Sequence, residues 1–271
     1  MKISKIILAL ATLLMVETAA QAQDERIVTN ARMVGIGGAQ VLDTYLSPLH
    51  YTGPELRYLS HTLRERADTL RWFHEIIHQG SLSVLDNKSG RGGEMAGNYN
   101  FQYGWHRHLG RWQLGGGVLH LAVGGNIDAN LGFIYNTRNS NNPAQARASL
   151  SFTPTAAVDY TVGVRHPIGV RYEVGVPLVG VMFSPNYGQS YYEIFSEGNY
   201  DHNIVPTWVG NTPSMRQMLT LDYCLWGTTL RVGYLGDYQQ AHVNHLKSHI
   251  YTHALVVGVV RKFSVKKLRQ P

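Results

Sequence analysis

Eleven charged residues could meet inside one cavity. They are Glu75, Glu94, Asp128, Asp159, Arg165, Arg171, Glu173, Arg216, Asp222, Arg231 and Asp237, and their flanking positions are mostly apolar or small. If these segments are strands, each charge points to the face opposite the apolar set. Seven acids and four arginines leave neither sign dominant. Such a set suits mutual pairing, because a guanidinium and a carboxylate satisfy each other's hydrogen bonds. The reading drawn from it is a polar, largely side-chain-filled lumen; limited small-solute passage is the sharper variant.

Other residues suggest other chemistry. His242, His245, His249 and His253 cluster near the C-terminus. Imidazoles bind metals, but no cysteine or second acid set accompanies these four, so neither a metal site nor a cofactor is expected. His253 faces outward by parity near one rim. With Asp43 beside it where the first and last strands close, and Ser248 or Ser47 nearby, it would form a base, an orienting acid and a nucleophile. That is the enzymatic alternative: an acyl hydrolase of lipid or lipopolysaccharide working on the outer wall, without a recognisable hydrolase motif. The segment Ser184–Pro213 carries Tyr187, Tyr191, Tyr192, Phe195, Tyr200 and Trp208. Aromatics among Asn, Gly and Ser suit either recognition at a surface or a lid packed on itself.

The elements that must position these residues are strands. From Ala148 to Val164 every even residue is apolar, while the odd ones are Ser, Thr, Ala, Asp and Gly. A two-residue period this long exceeds the ~5–6 residues of an ordinary soluble strand and meets the ~9–11 needed to cross a bilayer. Met95, Tyr99, Phe101, Tyr103 and Trp105 alternate with polar residues in the same way. In order, strands are expected at 31–45, 55–65, 70–84, 93–106, 111–135, 148–165, 169–183, 214–226, 228–238 and 248–263, the first two with ambiguous facing. Tight turns are expected at His108–Gly110, after His166 and at Gly227, and a loop at Gln239–Lys247. The count gives one all-β domain: a single antiparallel transmembrane β-barrel of about ten strands, within a range of 8–12.

Composition agrees. Charged residues are 15% of the chain, against 28 glycines and 16 tyrosines. No segment is a run of ~20 apolar residues, which excludes a helical membrane protein. Cys224 is the only cysteine, so no intramolecular disulfide forms. Lys2 and Lys5, the apolar run Ile6–Val16 and Ala20-Gln21-Ala22 predict a cleaved signal peptide over 1–22. The barrel then spans 23–263, followed by a basic periplasmic tail, 264–271. The net charge of +6 favours anionic lipid headgroups and lipopolysaccharide over nucleic acid, given export.

The leader, the paired strands and the closing segment HALVVGVVRKF resemble outer-membrane barrels of Bacteroidota-type, Gram-negative bacteria. PLVGVMFSPNYGQSYYEIF is similar to an uncharacterised family among them. The resemblance implies an integral outer-membrane location and insertion by the outer-membrane assembly machinery. The family carries no assigned activity, so it transfers no functional residue.

Overall fold

The computed structural model describes residues 25–66, 71–90, 92–140, 142–163 and 167–266. The signal peptide, Ala67–Thr69, Arg165 with the start of the His166 turn, and most of the basic tail lie outside the described residues. Twelve strands form one antiparallel sheet. They are β1 (Glu25–Asp43), β2 (Ser47–Arg66), β3 (Trp72–Asn87), β4 (Gly93–Leu114), β5 (Gly117–Asn136), β6 (Ala144–Val162), β7 (Ile168–Gly175), β8 (Val179–Phe183), β9 (Ile204–Trp208), β10 (Met215–Leu225), β11 (Thr228–Val243) and β12 (Leu246–Lys266). A short helix, α1 (Tyr191–Phe195), lies between β8 and β9.

The sheet closes on itself. β1 pairs with both β2 and β12, and β5 pairs with both β4 and β6. β7 and β8 both pair with β6, over successive stretches of it, and β8 pairs with β9 while β7 pairs with β10. The pairs β7–β8 and β9–β10 are thus two interrupted staves, and the ring has ten staves. Closure removes unpaired edges, which a bilayer does not tolerate.

The alternation is inside-out relative to a soluble sheet. Ile36, Leu82, Leu131 and Leu255 are 73%, 58%, 66% and 68% exposed, whereas Glu75, Asn100 and Asp128 are fully buried. Apolar side chains cover the outer wall, and the buried charged and amide side chains point to the interior. That is the arrangement of an outer-membrane β-barrel, whose outside solvent is lipid.

Several boundaries differ from the expected ones. β4 runs through His108–Gly110, which forms a bulge in the β4–β5 ladder instead of a turn. The turn lies at Gly115-Gly116, where φ values of 54° and 78° suit glycine. The expected single strand 111–135 is therefore the end of β4 plus β5. β2 starts at Ser47, ahead of the expected strand start at 55. β11 continues to Val243, so most of the expected 239–247 loop is strand, and the chain reverses at Asn244-His245 with φ of 49° and 62°. Hydrogen-bonded pairing carried these polar segments as strand where composition alone suggested loop.

Candidate functional site: the luminal stack and the lid

β2 serves as a ruler for the lumen. Its inward residues are Tyr51, Glu55, Arg57, Leu59, His61 and Leu63, and the layers they mark alternate apolar and ionic. At the end away from the termini, Val41, Leu46, Tyr51, Leu85, Ala96 and Ile134 pack together.

Below them lies an ionic layer. Arg57 donates to Glu55 from Nε at 2.7 Å and Nη2 at 3.1 Å, to Gln79 at 3.1 Å and to Thr252 at 2.8 Å. Gln79 donates to Asn100, and Asn100 to Asp128. Arg216 closes this layer by donating to Asp128, to Asp237 at 3.2 Å and to Asn130 at 2.9 Å.

The third layer is apolar: Ala31, Met33, Leu59, Ile77, Met218, Leu235 and Val256. It separates the first ionic layer from a second. There Arg171 reaches Glu173 at 2.6 Å, Asp159 at 2.7 Å and Glu75 at 3.5 Å. His61 contacts Glu75 at 2.7 Å, and His106 contacts Thr155 at 2.6 Å. Arg231 donates to both oxygens of Asp222, at 2.5 and 2.7 Å. Phe73, Ala122 and Ala157 form the last apolar layer, with Phe73 stacked on His106 at 5.0 Å.

This packing leaves little space. A cavity of about 50 Å³ lies between Arg57, Gln102, Glu173 and Arg216, and another of about 70 Å³ beside Arg147 and Gln239. Each holds a few waters at most. Among the described residues, His61, Glu75 and Glu173 are the group close enough to share a metal ion, with ligand atoms within 4.8 Å of one another. Arg171 already sits against both carboxylates and supplies the positive charge there.

The segment after β8 is a built lid. Ser190 caps α1: its side chain accepts from the Glu193 N–H, and the Glu193 carboxylate accepts from the Ser190 N–H at 2.6 Å. Those bonds hold the Glu193 carboxyl below its usual range. Tyr191 accepts from the Ala146 N–H and donates to Gln145, and Tyr45 donates to the Gln189 carbonyl. Burial is the main cause that pushes both phenols up, Tyr45 to about 12. Asn244 at the β11–β12 turn donates to the carbonyls of Ser184, Pro185 and His202. The lid is thus tied to three other parts of the mouth. Ile194 is buried beneath it, while Tyr187, Tyr192, Phe195 and Tyr200 stay 62–74% exposed.

Ten of the eleven expected luminal charges lie on inward-facing strand positions, and Arg165 lies outside the described residues. Sequence parity missed Glu55, Arg57, His61 and Arg147, three of them on β2, whose facing the sequence left open. The structure does not assemble the candidate hydrolase group. Asp43 is buried and opposes Ser248 across β1–β12, and it accepts from the Tyr45 N–H. His253 is on the outer wall, five residues from Ser248 or roughly 17 Å along the strand, and its Nδ1 meets the hydroxyls of Tyr234 and Tyr238. His242, His245, His249 and His253 do not converge on one ligand position; His249 stacks on Tyr251 at 4.6 Å.

A family model for proteins of unknown function, DUF3316, matches residues 6–270. The chain belongs to that family. No curated protein matches it. Solved structures with similar folds include the outer-membrane protease OmpT of Escherichia coli, at 7% identity and a TM-score of 0.45, covering 89% of this chain and 98% of that one. The translocator domain of the autotransporter NalP from Neisseria meningitidis is similar at 10% identity and a TM-score of 0.38, covering 97% of each chain. An outer-membrane channel from Pseudomonas putida F1 is similar at 10% identity and a TM-score of 0.35, covering 89% of this chain and 96% of that one. The family match assigns no activity, so function rests on the stack and the lid.

Proposed function

We propose that this protein is a closed outer-membrane barrel that displays its lid as a saccharide-binding surface. The observation that carries the reading is the lid itself. Asn244, Tyr45 and Tyr191 each fix it to a different part of the mouth. A segment held this firmly still leaves four aromatic side chains in water. Rigid exposed aromatics stack on sugar faces at low entropic cost, and neighbouring Asn and Ser groups supply hydrogen bonds. The filled lumen below, with cavities of about 50 and 70 Å³, supports binding over transport.

The test is titration of the folded barrel with purified surface polysaccharide, followed by intrinsic fluorescence. Tyr192→Ala/Phe195→Ala is expected to abolish binding while leaving the heat-induced gel shift intact. Equal binding by that variant, or none by the parent, removes the reading. The hydrolase alternative gains no support from His253, whose ring partners are tyrosines.

A further inference from the structure

The outer wall carries a cationic patch at the end of the barrel that holds both described chain ends. Arg32 on β1, Arg64 on β2 and Arg261 on β12 are all exposed. The register brings them together. Val28 of β1 opposes Arg64 on one side and Phe263 on the other, while Asn30 opposes Arg261. Arg64 and Arg261 therefore flank β1 within two residues of each other along it, and Arg32 is the next outward position. Arg26 and Arg66, also exposed, oppose each other at the edge of the patch.

Parity places all of these on the lipid face. Their neighbours Ala31, Met33, Leu59 and His61 are buried inward, and Val34, Ile36 and Leu56 are exposed on the same side as the arginines. Arg32, Arg64 and Arg261 make no ion pair or side-chain hydrogen bond among the described residues. Nor does any Asp or Glu share that outward face at this end of β12, β1, β2 or β3, among the described residues. Trp72, Trp105 and Phe263 are exposed nearby, and Arg107 lies over the Trp72 ring at 5.7 Å. Aromatic girdles mark the headgroup level of such barrels, and a cation on the wall is tolerated there far better than at mid-bilayer.

Three unpaired guanidinium groups on one face of a sheet repel one another unless an anion lies among them. Guanidinium is the side chain whose planar fork matches a phosphate by paired hydrogen bonds. The lid and the longer described loops mark the opposite rim as external, so this end faces the periplasm. We infer that the patch binds the phosphate of an anionic glycerophospholipid in the periplasmic leaflet, at a site separate from the lid.

The barrel is reconstituted in nanodiscs of phosphatidylcholine with added phosphatidylglycerol, and retained lipid is counted by native mass spectrometry. Phosphatidylglycerol is expected to be retained about a hundredfold over phosphatidylcholine, from roughly fivefold per arginine near the surface, multiplied over three. High salt weakens the preference. Arg32→Gln/Arg64→Gln/Arg261→Gln abolishes it while the gel shift on heating persists. If the triple variant does not fold, each single Arg→Gln change is read instead, with an expected loss of about fivefold. Equal retention of the two lipids, or a preference that survives the substitutions, overturns the inference.

Discussion

Replacing Leu59 with alanine tests whether the lumen is filled or wet. Leu59 is 1% exposed and lies in the apolar layer with Met33, Ile77, Met218, Leu235 and Val256. Truncation removes three carbons, a transfer loss of about 2.4 kcal/mol at ~0.8 kcal/mol per buried carbon. The space left behind adds about 1–2 kcal/mol at ~24 cal/mol per Å³ of residual cavity. The layer is ringed by strands that cannot collapse inward, so little of that cavity term relaxes. The expected cost is about 3–4 kcal/mol, measured by reversible urea unfolding in lipid vesicles. Leu59→Met, which conserves volume, is expected to cost less than ~1.5 kcal/mol. A lumen filled with water gives a different answer: an inward leucine there loses no burial on truncation. A cost for Leu59→Ala below ~1 kcal/mol, with an unchanged folded population, refutes the packed-layer reasoning.

Other consequences follow from the layers beside it. Arg171→Met leaves Glu75 and Glu173 buried without their cation and is expected to cost about 3–5 kcal/mol in the same unfolding assay; the half-exposed Asp159 contact contributes little of this. At the mouth, Ser190→Ala removes the cap of α1 and is expected to destabilise the lid locally by about 1 kcal/mol, read as faster proteolysis within 184–203. Glu193 gives the lid a pH dependence. Its carboxyl is depressed by the Ser190 N–H and hydroxyl, so its contribution is complete above the ordinary carboxylate range and is lost as pH falls through the depressed value. Protection of lid amides is expected to drop below that range in the parent and to show no such step in Glu193→Gln. Asn244→Ala removes three hydrogen bonds and places alanine at a φ of 49°, so it is expected to loosen the lid more than Asn244→Gly.

Much of the barrel was legible because lipid outside and polar groups inside impose a strict two-residue period. The outward row Met95–Trp105 and the inward row Asp128, Arg171, Glu173 and Asp222 follow from it directly. β2 is the strand whose facing the sequence conceals most. Its inward residues Glu55, Arg57, Leu59, His61 and Leu63 mix charge with aliphatic groups, because the lumen alternates ionic and apolar layers and β2 crosses all of them. No one-face hydropathy rule describes such a strand. Its outward Ser60, Thr62 and Arg64 blur the other face as well. The turns are concealed for a second reason. Gly115-Gly116 sits in a run of three glycines, and the sequence does not say which pair takes positive φ. The hydrolase group failed on parity: Ser248 and Asp43 oppose each other at the rim, whereas His253 is an odd number of residues away and faces lipid. The lid was legible as aromatic, but its anchoring by Asn244, Tyr45 and Gln145 depends on contacts 42 to 144 residues apart in the chain.

The most direct test of the closed-barrel account is single-channel recording of the heat-modifiable parent protein in planar bilayers. The two ionic layers, the apolar layer between them and the anchored lid predict a silent membrane at all applied voltages. Deleting the lid residues 185–202 is predicted to leave it silent, because the luminal stack remains. Reproducible conductance steps from the folded parent barrel would contradict the account.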